Sequence, residues 1–275
     1  MMHFGKGNSL FIDYLKILGV EPTEPSLDLL KQLTSGHLRH IPFENISKIY
    51  YKLKYGLRDI PDFELYINGI KNNNFGGTCY SNNYYFNLLL KYLGFDAILC
   101  GADMKNPDVH FVNIITIKNR EYIVDVGYAA PFFEPVPRNI STEYIVSMGN
   151  DKYVFHPPDD NDKTRMHFYR NGELKHGYTV KPKSRMLMEF GNVIDDSFND
   201  KATFMNSLLI VLFGKDSSSV IHNYSVIEYK DNKYEKRNCS DKILLSNEIE
   251  KLFGIPKEIA KDAVNHLTFE GDAWS

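Results

Sequence analysis

The sequence predicts an α+β protein with a mainly helical first third, short strands forming a barrel or sandwich in the middle, and mixed strands and helices at the end. Three observations carry this. Apolar residues recur at helical spacing through the first 95 residues. From Asp96 the pattern switches to short runs rich in β-branched residues, and helix-period segments return near the C-terminal end.

In the first third, Leu10, Phe11, Tyr14, Leu15 and Leu18 mark one helix, with Gly19 as its stop. Ser26 caps a second helical stretch that runs to His40, and Pro42 breaks the pattern. Residues 61–74 read as a third helix ending in a polar Asn run. Residues 75–95 place Gly76 and Gly77 in a tight turn, then a helix with Cys79 in its first turn and Gly94 at its end. In the middle, 97–103, 110–117, 121–127, 144–148, 152–156, 166–180 and 185–190 read as strands. Asn171-Gly172 signals a hairpin, and Asn119-Arg120 is the expected two-residue turn between the second and third strands. Beyond residue 195, strands over 206–214 and 219–238 precede helices over 245–255 and 256–267.

Hydrophobic residues make up 43% of 275 residues, enough for a large core without disulfide staples. The 18 Tyr and 18 Phe line an aromatic pocket or simply fill cores. A net charge of −3 gives no electrostatic footprint for nucleic acid or an anionic membrane. An anionic small molecule would need a local basic patch. The cysteines are Cys79, Cys100 and Cys239, an odd number without CxxC spacing. That fits neither a disulfide framework nor a zinc site and suits a reducing compartment. The nine histidines show no metal-binding spacing, so no metal is expected. With no signal-peptide pattern and no long apolar run, the expected location is cytoplasmic.

The chemistry centres on Cys79. A helix N-terminus offers unpaired N–H groups and about half a positive charge, which favours a reactive thiolate. The same N–H groups stabilise an oxyanion when a thioester carbonyl is attacked. A small buried structural cysteine would occupy such a turn equally well. Cys100 reads as a strand core residue and Cys239 as a loop thiol. A nucleophilic cysteine needs a base, and the base needs an orienter. His110 opens one strand, and Asp125 lies among Ile123, Val124 and Val126 in the next. A carboxylate in such apolar company is costly unless paired. Accepting from Nδ1–H, it would leave Nε2 of His110 facing the thiol. With the turn at Asn119-Arg120, the two residues share a sheet face. Ile114 would then oppose Asp125, leaving His110 roughly 13 Å along the strand. Contact then needs strand curl, a bulge or another turn. Without a partner, His110 would be a core histidine and Asp125 a strand-end acid.

Residues 40–46 (HIPFENI), 76–83 (GGTCYSNN) and 110–128 resemble the arylamine N-acetyltransferase family in order and spacing. Gly76, Gly77, Cys79 and Asn83 match its Arg-Gly-Gly-x-Cys-x-Glu-x-Asn motif, and the step from His110 to Asp125 agrees. Two positions depart: Phe75 stands for the motif's Arg and Ser81 for its Glu. Glu44, which would pair with that Arg, must find another partner or be solvated.

The resemblance implies a helical N-terminal domain over 1–95, a central antiparallel β-barrel over 96–195 and a C-terminal α/β lid over 196–275, with a cysteine-protease-like core. It implies acetyl-CoA as cosubstrate and a ping-pong transfer to an aromatic amine or hydrazine through acetyl-Cys79. Cys79, His110 and Asp125 would form the catalytic triad. Tyr128 and Met104 would line the acceptor pocket, and Gly127 and Ser207 would contact CoA. No nucleic acid or membrane partner is implied. Three alternatives stay open: an amide-forming acyltransferase with another acceptor, a cysteine hydrolase, and a weak binding module that kept the fold. Lys181, Lys183 and Arg185 read as a barrel-surface charge run, with CoA phosphates as their functional alternative. His37 and His40 read as surface or capping residues.

Overall fold

The computed structural model describes residues 6–271. Helices α1 (Lys6–Leu18), α2 (Leu27–His40), α3 (Ile46–Tyr55), α4 (Phe63–Asn73) and α5 (Cys79–Tyr92) build the first part, with a two-residue strand β1 (Phe43–Glu44) between α2 and α3. Ser26 caps α2 as expected, accepting from Leu29 N–H at 3.2 Å. Helix α3 has no counterpart among the sequence-predicted elements. Its residues, Ile-Ser-Lys-Ile-Tyr-Tyr-Lys-Leu-Lys-Tyr, have only middling helix propensity, and burial of Ile46, Ile49 and Tyr51 holds them helical. His37 is fully buried in the helical core, hydrogen-bonded to the Tyr14 hydroxyl at 2.9 Å, and is no surface residue.

Strands β2 (Asp96–Asp103), β3 (His110–Ile117), β4 (Arg120–Val124), β5 (Val136–Pro137), β6 (Tyr144–Met148), β7 (Asp151–Phe155), β8 (Thr164–Arg170) and β9 (Glu173–Ser184) form one antiparallel sheet in the order β5-β4-β3-β2-β9-β8-β7-β6. It curls into a nearly closed barrel around Val112, Ile114, Phe132, Phe155, Met166 and Tyr178. The hairpin between β8 and β9 turns at Asn171-Gly172, both at positive φ, as the sequence signals. Residues 187–190 form a 3₁₀ turn, not the expected strand, followed by α6 (Gly191–Asp196).

Short helix α7 (Thr203–Asn206) leads into a second antiparallel sheet: β1, β10 (Leu209–Phe213), β11 (Ser217–His222), β12 (Ser225–Lys230) and β13 (Lys233–Asn238), in that order. Helices α8 (Lys242–Phe253) and α9 (Lys257–His266) follow, with α9 packed on α3. Strand β1 ties this sheet to the segment before Cys79. Phe43 pairs with Val211 on one side and bridges Gly77 on the other. The Glu44 N–H donates to the Gly77 carbonyl at 3.0 Å. Among the described residues no helix is long and apolar enough to cross a membrane, and no group of three acidic, His or Cys residues is arranged to hold a metal.

Candidate active site

Helix α5 begins at Cys79, with Thr78 as an extended N-cap whose side chain makes no capping hydrogen bond. The donors of the first turn are therefore not taken by a cap side chain. Gly76 is required by close approach: a Cβ there would run into the Pro42 carbonyl oxygen. The turn thus packs flush against the chain leading into β1.

The turn joining β3 and β4 lies at Lys118-Asn119, both at positive φ, one residue earlier than the sequence suggests. Ile117 pairs with Arg120 and Asn113 with Val124. Continued by one step, this register sets Asp125 beside Val112, two residues from His110 on the same face, about 7 Å along the strand. Asp125 sits just beyond the end of β4 and spans the remainder. Its Oδ2 lies 2.7 Å from His110 Nε2. The two nitrogens thus have roles opposite to the expected ones: Nε2 faces the carboxylate, leaving Nδ1 for the thiol side.

Both residues are buried, His110 and Asp125 at 2% exposure each. Burial alone would lower the His110 pKa; the Asp125 charge and the hydrogen bonds to Asp125 and Cys79 overcome it and raise it to about 10. The second carboxylate oxygen, Oδ1, accepts from Asn83 Nδ2 at 2.8 Å and from Gly127 N–H at 3.0 Å. Asn83 also donates to the Phe111 carbonyl at 2.7 Å and accepts from Val126 N–H at 3.0 Å. A motif asparagine on α5 therefore clasps the end of β4. The sequence marked Asn83 only as a motif match, with no clue to this partner. Aromatic rings of Tyr128 and Tyr178 flank the imidazole, with centroids 5.5 and 5.0 Å away. The Cys79 sulfur lies 3.9 Å from the Val109 carbonyl oxygen.

Cys79 and His110 line a cavity of about 1020 Å³. Met104, Gly127 and Tyr128 line it too. Gly127 needs its missing side chain, because a Cβ would sit 2.7 Å from the Cys79 Cα. The Tyr128 hydroxyl is 2.5 Å from His176 Nδ1, and Tyr153 and Phe168 continue the aromatic wall. Ser207 is elsewhere. It is fully buried outside the cavity lining, and its hydroxyl donates to the Thr203 carbonyl at 2.6 Å. A hydroxyl committed at the end of α7 is not available to a ligand. Lys181 is also committed, bridging Asp103 and Asp108 at 2.7 and 2.6 Å.

The two departures from the motif are accommodated locally. Phe75 is buried and packs edge-on to Tyr50 and Tyr51, at 5.5 and 5.7 Å between centroids. Glu44 is fully buried, and its oxygens accept from Gly76 and Ser47 N–H groups at 3.0 and 2.8 Å. Burial raises its pKa, against those hydrogen bonds. Backbone donors thus replace the expected guanidinium. Losing one partner of a buried ion pair is costly when the other charge is left unanswered, and these N–H groups answer Glu44 in its place.

A helix-start thiol beside a buried imidazole–carboxylate pair defines a site equipped for thiol-mediated acyl chemistry. Comparison with known proteins gives the family. A family model described as N-acetyltransferase matches residues 26–262. The chain belongs to this family, the arylamine N-acetyltransferases. It is similar to a probable arylamine N-acetyltransferase 2 of Dictyostelium discoideum, 24% identical over 256 residues and covering 83% of each chain. It is also 29% identical over 144 residues to proansamycin X synthase of Amycolatopsis mediterranei, which spans 48% of this chain and about half (54%) of that relative. The fold matches the arylamine N-acetyltransferase of Mycobacterium abscessus with a TM-score of 0.78 at 16% identity, over 96% of this chain and 99% of that one. It matches the Mycobacterium marinum enzyme in complex with CoA with a TM-score of 0.77 at 19% identity, over 94% and 100%.

Proposed function

We propose that the protein transfers an acetyl group from acetyl-CoA to an aromatic amine or hydrazine by a ping-pong route through Cys79. The observation that carries this is the 2.7 Å contact between His110 and Asp125 behind the cavity wall that His110 shares with Cys79. The Cys79 thiolate attacks the thioester carbonyl, and the first-turn N–H groups of α5 receive the developing oxyanion. CoA leaves as the thiol, taking the proton from His110. The amine then attacks acetyl-Cys79, His110 accepts its proton, and the thiolate is released. Asp125 holds the imidazole in place throughout.

The division of labour follows three units: 1–95 supplies the thiol, 96–195 the imidazole and carboxylate, and 196–275 covers the cavity. Tyr128 and Met104 contact the acceptor. Gly127 lets the cosubstrate approach Cys79, and the exposed Lys105 and Lys201, which line the same cavity, meet its phosphates. The reaction suits a cytoplasmic location, where thiols stay reduced.

Mass spectrometry of the chain mixed with acetyl-CoA tests the reading. A gain of one acetyl group on Cys79, discharged by an arylamine, is the expected result. Discharge by water at the same rate would make the protein a hydrolase, and a Cys79 that never acylates would make it a binding module. A second reading is favoured by the cavity's size, at the upper end of the usual range of roughly 300–1,000 Å³ for ligand pockets. The acceptor is then bulkier than a simple arylamine, as in an amide-forming synthase. An acceptor screen separates the two.

A further inference from the structure

Helix α3 carries a lysine that the acyl-transfer steps do not use. Lys48 is 8% exposed, yet it lines the same cavity as Cys79 and Thr78. Its ammonium donates to the Ser197 hydroxyl at 2.6 Å and lies 4.1 Å from the centroid of the Phe198 ring. Among the described residues no carboxylate forms an ion pair with it. Glu44, at the end of β1 just before α3, is occupied by the backbone N–H groups of Ser47 and Gly76. Lys52, one turn later, has its own carboxylate, Asp200, at 2.9 Å. Burial lowers the Lys48 pKa to about 7; the charge of Cys79 works against that fall, and Lys52 adds to it. The anion that answers this buried cation is the Cys79 thiolate, and its charge is lost once the sulfur is acylated.

We propose that Lys48 is a carboxylate-recognition subsite beside the acyl-transfer cysteine, taking substrates that carry a carboxylate near the reacting centre. The proposal rests on the acyl-transfer reading above. The methyl end of an acetyl group offers the ammonium nothing, whereas a carboxylate offers a charge-assisted hydrogen bond. Such a group enters from one of two sources: an acyl donor ending in a carboxylate, such as malonyl-CoA, or an aromatic amine bearing a ring carboxylate. The bonds made and broken are those of acetyl transfer. The Cys79 sulfur forms the new thioester as the CoA carbon–sulfur bond breaks, and CoA leaves with the proton from His110. The amine nitrogen then forms the amide, the Cys79 carbon–sulfur bond breaks, and His110 takes the amine proton. The distal carboxylate stays ionised on Lys48 and takes no part in bond making.

Three substrate pairs test this on the full chain: acetyl-CoA with 4-methylaniline, malonyl-CoA with 4-methylaniline, and acetyl-CoA with 4-aminobenzoate. kcat/KM is measured for the native chain, Lys48→Met, Lys48→Gln and Lys48→Arg. In the Met and Gln variants, at least one carboxylate-bearing pair should fall about tenfold further than the neutral pair, because removing a matched polar partner discriminates strongly. Arg should keep the preference. Loss on malonyl-CoA assigns the subsite to the donor, and loss on 4-aminobenzoate assigns it to the acceptor. Ratios taken within one variant cancel any change in thiol reactivity or folding, and Gln keeps a donor toward Ser197 if Met disturbs the packing. If all three pairs fall together, or none falls, the subsite is overturned while acyl transfer stands. If the native chain forms no acyl-Cys79 from either donor, the acyl-transfer reading falls, and the subsite with it.

Discussion

The two flanks of Cys79 are built from different chemistry. Toward the barrel lies a polar clasp: His110, Asp125, Asn83 and Asn113 are all buried and joined by short hydrogen bonds. Toward helices α3 and α4 lie Phe75, Tyr50 and Tyr51, with Glu44 held by backbone N–H groups. The barrel flank keeps every residue type of the family pattern, while the other flank has lost its Arg and Glu. The difference lies in what holds the imidazole: the carboxylate that meets His110 is itself held by Asn83 and the Gly127 N–H, both on the barrel-facing side. The other flank fills space with Phe75, Tyr50 and Tyr51 and holds the turn of Gly76 and Gly77 through hydrogen bonds with Glu44.

The strongest way to break this comparison is at Asp125. Asp125→Asn keeps the shape but removes the charge that overcomes the burial of His110. By analogy with other triads, turnover should fall by at least about two orders of magnitude. Steady-state rates with acetyl-CoA and an arylamine measure it, and wild-type turnover in this variant would remove Asp125 from the mechanism.

A smaller loss is expected at Asn83, which acts through Asp125 and touches no reacting atom. Asn83→Ala strips one hydrogen bond from the carboxylate and leaves Val126 N–H without its acceptor, at about 1–3 kcal/mol for a buried unsatisfied group. Turnover should fall about tenfold, since 1.4 kcal/mol of misplacement corresponds to that factor. A positioning role also predicts a shifted pH profile for Cys79 alkylation by iodoacetamide, which a purely structural loss would leave alone.

Acid–base behaviour sharpens the same contrast. His110 has a folded pKa raised to about 10 against an ordinary value of 6.5. Its stabilising contribution is therefore fully present below about pH 6.5 and is lost as pH rises through about 10. The difference in urea midpoint between the native chain and His110→Gln should narrow over that interval. A constant difference would place the imidazole's interactions outside the folded-state balance.

Much of the fold was legible because hydrophobic period survives tertiary context. Apolar spacing gave α1, α2, α4 and α5, and alternation with Asn-Gly gave β8 and β9. Helix α3 escaped because its aromatic and β-branched residues follow packing rather than propensity. The segment 185–190 misled in the opposite way: Met186 and Met188 look strand-like yet are exposed, at 64% and 78%. At the site, residue identity was readable while geometry was not. A turn one residue earlier than read closes the gap between His110 and Asp125, and no composition rule fixes that choice between two adjacent polar pairs. The nitrogen roles of His110 depend on the same few ångströms. Ser207 was chosen for its hydroxyl, and a local bond to Thr203 had already used it. Lys48 gave no sign of burial, because an isolated lysine in a helix normally faces solvent.

The smallest effect on turnover is expected where the motif has changed most. Phe75 touches neither His110 nor Asp125 in the ring contacts it makes, which are with Tyr50 and Tyr51. Phe75→Ala opens a cavity in a core residue that is 1% exposed, so unfolding should cost less by about 3–5 kcal/mol. The remaining folded molecules keep the clasp on Asp125, and their turnover should stay within about threefold of native, roughly 0.7 kcal/mol of barrier. Active-site titration with iodoacetamide counts folded sites and separates the two quantities. A hundredfold loss per active site, with stability little changed, would mean that the apolar flank also orients the thiol and that the two sides of Cys79 act as one.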